Sequence, residues 1–146
     1  MNKILLLLSL MTVLAFGVQV RAADPDDLLQ LQKAAEQGGV EAQAELGRRY
    51  FTGRGVQQDF TQALGWFQKA AEQGHAGAQT ILGSMYAEGM VVKQDYAQAL
   101  SWYRKAAEQG HAGAQNNLGG MYDDERGVRQ DYAQAVAWYR KAAEQG

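Results

Sequence analysis

His75 and His111 are the only histidines in the chain, and imidazole is the side chain best suited to bind a metal ion or move a proton near neutral pH. The segment QGHAGAQ surrounds both of them. They therefore occupy equivalent turns, on the order of 10 Å apart, the distance between packed helices. That is too far to ligate one ion, so both are read as structural turn residues. Beyond residue 22 the serines are Ser84 and Ser101. A Ser-x-x-Lys nucleophile needs a lysine three positions on, where Ser84 has Ala87 and Ser101 has Arg104. Asp123, Asp124 and Glu125 gather three carboxylates without the spaced oxygen ligands of a calcium loop. Gly53-Arg54-Gly55 is not followed by the Lys and Ser or Thr of a phosphate-cradling loop. Trp66, Trp102 and Trp138 could stack on the sugars of peptidoglycan or an exopolysaccharide, but they adjoin the apolar stripe of a helix and recur with its structural residues, which assigns them to packing. No catalytic residue, metal or cofactor is expected.

The chain that carries these residues has 146 residues, 47% apolar and 21% charged, with no cysteine. A single folded domain is the expectation, and a disulfide scaffold is excluded. Lys3, then the apolar run Ile4 to Gly17, then Val20-Arg21-Ala22, reads as a secretory signal peptide over residues 1–22, cleaved after Ala22. The uncharged stretch is shorter than the roughly 20 residues that cross a bilayer, so no stable membrane insertion is expected after cleavage. Residues 23–146 hold 12 Lys and Arg against 16 Asp and Glu, a net charge of 12 − 16 = −4. That balance argues against nucleic acid as a partner.

One period organises the remainder. KAAEQG begins at Lys33, Lys69, Lys105 and Lys141, at intervals of 36 residues. Ala42/Ala78/Ala114, Leu46/Leu82/Leu118, Gly47/Gly83/Gly119, Tyr50/Tyr86/Tyr122, Asp59/Asp95/Asp131 and Trp66/Trp102/Trp138 recur at the same interval. Such self-similarity marks a stacked array whose units cannot bury their apolar faces alone. Each unit reads as a helical hairpin. Its second helix opens on Asp59, with Gln62 at capping-box spacing, and presents Phe60, Ala63, Leu64, Phe67, Ala70 and Ala71 as one stripe. Gly74 and Gly110 end that helix. The first helix runs from about Val40 to Phe51. Ala42, Leu46, Tyr50 and Arg49 (Met85 and Met121 in later copies) form its inner face, and Gly47 lets the partner helix, with its Trp and Tyr, approach the backbone. The units are a half-repeat helix over 23–38 and repeats over 39–74, 75–110 and 111–146. Trp138, Tyr139 and Ala142 have no following unit, and self-association through this C-terminal end is an expectation.

The pattern Ala42-x-x-x-Leu46-Gly47-x-x-Tyr50, Gly53-Arg54-Gly55-Val56, Asp95-Tyr96-x-x-Ala99 and Trp102-Tyr103-x-Lys105-Ala106-Ala107-x-x-Gly110 resembles the Sel1-like repeat, a relative of the tetratricopeptide repeat. Val91 and Glu125 depart from it, each replacing a loop glycine, and their turns are expected to differ locally. The resemblance implies an all-α, right-handed α-solenoid of about three repeats with an N-terminal half-repeat. It also implies a non-catalytic adaptor that binds a protein or peptide, periplasmic or secreted, in envelope complexes or host contact. Cysteine-rich members of this group are associated with penicillin binding and β-lactamase activity, the alternative reading, but they tie their repeats with disulfides that this chain cannot form.

Packing demands the same residue in every unit, so positions that vary between units are those packing leaves free. In the first helices these are Ala44, Glu45, Arg48 and Thr52, then Thr80, Ile81, Ser84 and Glu88, then Asn116, Asn117, Gly120 and Asp124. Their spacing of three and four places them on one helical face. In a solenoid of this kind that face is concave, and it is the expected binding surface, with Arg48 and Arg54 at one end and Asp124 at the other.

Overall fold

Asp59, Asp95 and Asp131 start helices because a carboxylate can accept the N–H groups that a first turn leaves without partners. In the computed structural model, which describes residues 25–145, Asp59 Oδ1 accepts from Thr61 and Gln62 at 2.9 and 3.0 Å. Asp95 and Asp131 accept from Gln98 and Gln134, each at 3.0 Å. The return bond of the expected capping box takes another form. Each aspartate donates its own N–H to the carbonyl of Tyr50, Tyr86 or Tyr122, at 2.9, 2.9 and 3.0 Å. The cap thus fastens the loop across its own hairpin.

The helices are α1 (Pro25–Glu36), α2 (Val40–Thr52), α3 (Phe60–Glu72), α4 (Ala76–Glu88), α5 (Tyr96–Glu108), α6 (Ala112–Asp123) and α7 (Tyr132–Ala143). No strand occurs among the described residues. Each helix packs on the next in chain order, most closely within the pairs α2/α3, α4/α5 and α6/α7. The chain is an all-α solenoid. The signal peptide expected over 1–22 lies outside the described residues, among which no helix is long and apolar enough to cross a membrane.

The repeated hexapeptide closes the second helices. Gly74 and Gly110 take φ of +92° and +88°, and the next N–H, of His75 or His111, returns to the carbonyl of Ala70 or Ala106 at 3.0 and 3.1 Å. A left-handed glycine followed by this bond satisfies the carbonyls a helix end leaves open. The imidazoles of His75 and His111 then cap α4 and α6, each Nδ1 accepting from the N–H three residues on, at 3.0 and 3.3 Å. Val91 and Glu125 both keep the left-handed turn, at φ of +60° and +59°, and the local difference is confined to the Glu125 loop, where α6 ends one residue earlier than α2 and α4. The bonds on either side of each loop hold the turn against the side chain's preference.

The two buried clusters bridge successive units, with side chains of the preceding first helix packed against them. Ala63, Phe67, Ala70 and Ala71 of α3 pack with Ala78, Leu82 and Met85 of α4. One period later Ala99, Tyr103, Ala106 and Ala107 of α5 pack with Ala114, Leu118 and Met121 of α6. The helical glycines make room for a ring, and of the expected tryptophan and tyrosine it is the tyrosine, with Phe67 in its place in the first unit. A Cβ on Gly47 would lie 2.9 Å from the Phe67 ring, one on Gly83 2.7 Å from Tyr103, and one on Gly119 2.8 Å from Tyr139. Trp102 and Trp138 instead pack, half-buried, at the edges of the two clusters. At the far end Tyr132, Val136 and Tyr139 of α7 are exposed.

A buried amide ladder runs through the stack. Gln43, Gln79 and Gln115 are each 4% exposed, and an amide that deep must be hydrogen-bonded. Their Nε2 groups donate to the carbonyls of Ala35, Ala71 and Ala107 at 3.0, 3.0 and 3.1 Å. Their Oε1 atoms accept from Gln73, Gln109 and Gln145 at 2.7, 2.8 and 2.7 Å. Each buried glutamine thereby joins three consecutive helices, and the glutamine of KAAEQG is the donor that completes it.

Candidate protein-binding groove

Along α2, α4 and α6 the residues that vary between units line three cavities. Between α2 and α4 a cavity of about 290 Å³ is bounded by Ala44, Glu45 and Arg48 on one side and Ala78 and Ile81 on the other, with Phe67 behind them. Between α4 and α6 a second, of about 250 Å³, is bounded by Ser84, Glu88, Asn116, Asn117, Gly120 and Asp124, with Tyr103 behind them. A third, of about 200 Å³, brings Thr52 beside Arg48, Arg49 and Arg54. Thr80 has a different place. It is buried, its hydroxyl donates to the Ala76 carbonyl at 2.8 Å, and it lies 3.0 Å from His111 Nδ1.

At the α2 end Arg48 and Arg49 pair with carboxylates. Glu45 accepts from Arg48 and from Arg49 Nε at 3.2 Å. Burial alone would raise the Glu45 carboxyl, but the two guanidinium groups outweigh it and hold the group below the usual carboxylate range. Arg49 also donates to Asp27 of α1 at 2.7 Å. The Asp27 bond, outweighing the opposing effect of burial, raises the guanidinium pKa and keeps Arg49 charged. Its Nη1 is buried with no hydrogen-bond partner among the described residues.

At the α4–α6 end Ser84 Oγ lies 2.9 Å from the Tyr103 hydroxyl and 3.3 Å from the Thr80 carbonyl. A serine held this way is a hydrogen-bonding wall, with no lysine beside it in the cavity lining. Burial pushes the Tyr103 phenol up, an effect the Ser84 bond only partly offsets. Asp124 pairs with Arg126 at 3.2 Å. Glu88 has no ion-pair partner among the described residues, and those residues include no group of three or more His, Cys, Asp or Glu placed to hold a metal.

The tryptophans sit elsewhere. Lys69, Lys105 and Lys141 place Nζ over the rings of Trp66, Trp102 and Trp138 at 4.2, 4.2 and 4.3 Å. A cation on the ring face takes the position a stacked sugar would need. The back walls of the two larger cavities, Phe67 and Tyr103, were not among the residues expected to line the groove. The signal was available, since the two stand at one repeat position and differ by a hydroxyl.

A family model described as the Sel1 repeat matches residues 31–39, 40–75, 76–111 and 112–146. The secretory immunoglobulin A-binding protein EsiB of Escherichia coli O6:H1 is 49% identical over 67 residues, which are 46% of this chain and 14% of EsiB. The crystal structure of c5321, described as a protective antigen present in uropathogenic Escherichia coli strains and displaying an SLR fold, superposes with a TM-score of 0.80 at 48% identity. That match covers 82% of this chain and 26% of c5321. A Sel1 repeat protein from Oxalobacter formigenes superposes with a TM-score of 0.75 at 45% identity, covering 82% of this chain and 90% of that one. The chain therefore spans only a small part of EsiB and of c5321.

Proposed function

The chain belongs to the Sel1 repeat family, and on that premise we propose that it is a non-catalytic adaptor which binds a protein or peptide along α2, α4 and α6. One observation carries this reading. The positions that repetition leaves free of packing, Thr80 apart, border cavities along those helices. EsiB, named for binding an immunoglobulin, supports a protein as the class of partner. A periplasmic or secreted location belongs to the same proposal, supported by the leader-like residues 1–22 and by an antigen among the similar structures. Self-association through α7 is a further part of it, supported by the exposure of Val136 and Tyr139.

The test is a pull-down from envelope and host-cell fractions with the wild-type protein and with the double variant Arg48→Glu, Asn117→Arg. Both sites are exposed, so the fold should survive. Partners held by the groove are lost from the double variant, whereas equal recovery by both proteins would refute the groove. Mass spectrometry of secreted material, expected to begin at Ala23, checks the location, and sedimentation at rising concentration checks self-association. Nitrocefin turnover by pure protein would revive the enzymatic reading.

A further inference from the structure

The two larger cavities share a back wall by repeat symmetry, and the chemistry around it changes from one to the other. Phe67 in the first becomes Tyr103 in the second, Arg48 becomes Ser84, and Ile81 becomes Asn117. They are also staggered. At the position of Ala44 the next unit has Thr80, which meets His111 and fills the space near the helix starts. The second cavity therefore opens toward the helix ends, where Glu88 and Asp124 stand.

In the first cavity Glu45 accepts from two arginines and Glu41 lies 3.3 Å from His75 Nε2, while Glu41 and Arg48 stay exposed at the rim. The floor beneath that rim is Ala44, Ala78, Ile81 and the Phe67 ring. A polar group placed there would lose its water without gaining a partner, whereas an apolar side chain loses nothing. In the second, Glu88 and Asp124 face one cation, Arg126, which is already engaged with Asp124. Ser84 and the Asn117 amide add hydrogen-bonding atoms around that excess negative charge. A lysine or arginine side chain complements the site, and a carboxylate is repelled.

From the first cavity to the second the lining shifts by about six positions along the helices, about 9 Å at about 1.5 Å per residue. Combined at right angles with a spacing between helices on the order of 10 Å, that is roughly 13 Å, about four residues of extended peptide at about 3.3 Å each. We propose, building on the protein-binding reading above, that the groove recognises one extended peptide carrying an apolar side chain for the α2–α4 cavity and a basic one for the α4–α6 cavity, about four residues apart.

Panning a phage-displayed library of random twelve-residue peptides on the purified protein tests this. Enriched peptides should share an apolar and a basic residue at that separation. In fluorescence anisotropy, replacing the peptide's basic residue by Glu should weaken binding about tenfold or more, and the exposed variant Glu88→Arg should abolish that preference. Binders that Asn117→Arg disrupts, but that show no basic preference and ignore Glu88→Arg, would overturn this inference while leaving the groove in place. Binders indifferent to Asn117→Arg and to Arg48→Glu, or no binders at all, would overturn the groove reading as well.

Discussion

Gln109 reaches 2.8 Å across the hairpin to the side-chain oxygen of Gln79, and Gln79 uses its own amide to hold the Ala71 carbonyl of the helix before. Removing the buried partner leaves both neighbours unsatisfied. Gln79→Leu is expected to cost about 2–3 kcal/mol, and Gln109→Ala, at the exposed end of the same bond, about 1 kcal/mol. Urea unfolding of the two variants measures the difference, and equal losses would mean that the ladder is not the cause.

Gly83 and Gly120 are both helical, yet a methyl group has opposite effects at the two. On Gly83 it would lie 2.7 Å from the Tyr103 ring, whereas on Gly120 its nearest neighbour is the Tyr139 hydroxyl at 3.6 Å. Gly83→Ala should destabilise by about 1–3 kcal/mol through overpacking. Gly120→Ala should stabilise by up to about 1 kcal/mol through helix propensity. Thermal melts of the pair provide the comparison.

Val91 and Glu125 hold left-handed φ values without being glycine, a strain on the order of 1–2 kcal/mol. Val91→Gly should raise stability by roughly 0.5–1 kcal/mol once the added freedom of the unfolded chain is subtracted. The effect should be smaller for Glu125→Gly, because an unbranched side chain is less crowded there. Chemical denaturation with an unchanged slope checks both.

Tyr103 gives a pH signature. Burial raises its phenol pKa in the folded state, with the Ser84 bond acting the other way. A raised acid pKa means that the neutral form is favoured by folding. The contribution is complete below the unfolded value of about 10 and fades as pH climbs through the folded value. Tyr103→Phe, which installs the ring present at Phe67, should therefore flatten the alkaline limb of stability above about pH 10. Melting temperatures across that range decide it.

The hairpins, the aspartate caps and the closing glycines were legible because each follows from residues near one another in sequence, repeated at a fixed interval. The three-dimensional partners were less so. Which ring would rest on Gly47 or Gly83 depends on the rotation of one helix against another, so Phe67 and Tyr103 could not be told from Trp66 and Trp102. The amide ladder spans three helices and was missed, although Gln43, Gln79 and Gln115 recur as faithfully as the leucines. Thr80 is a varying position that is buried rather than exposed, packed 3.0 Å from His111 Nδ1. The loops of Val91 and Glu125 kept their course because bonds outside the turn, such as Asp95 N–H to the Tyr86 carbonyl at 2.9 Å, outweigh the preference of a single residue.

Because every apolar cluster joins the close of one unit to the opening of the next, the seam that Phe67, Ala70 and Ala71 present to Ala78, Leu82 and Met85 is nearly interchangeable with the one Tyr103, Ala106 and Ala107 present to Ala114, Leu118 and Met121. Splicing out residues 75–110 would set α3 directly against α6 across a familiar joint. The molecule behaves as a ruler whose length can change by whole divisions, and because α4 walls both cavities, that one edit would rebuild the groove with α2 facing α6.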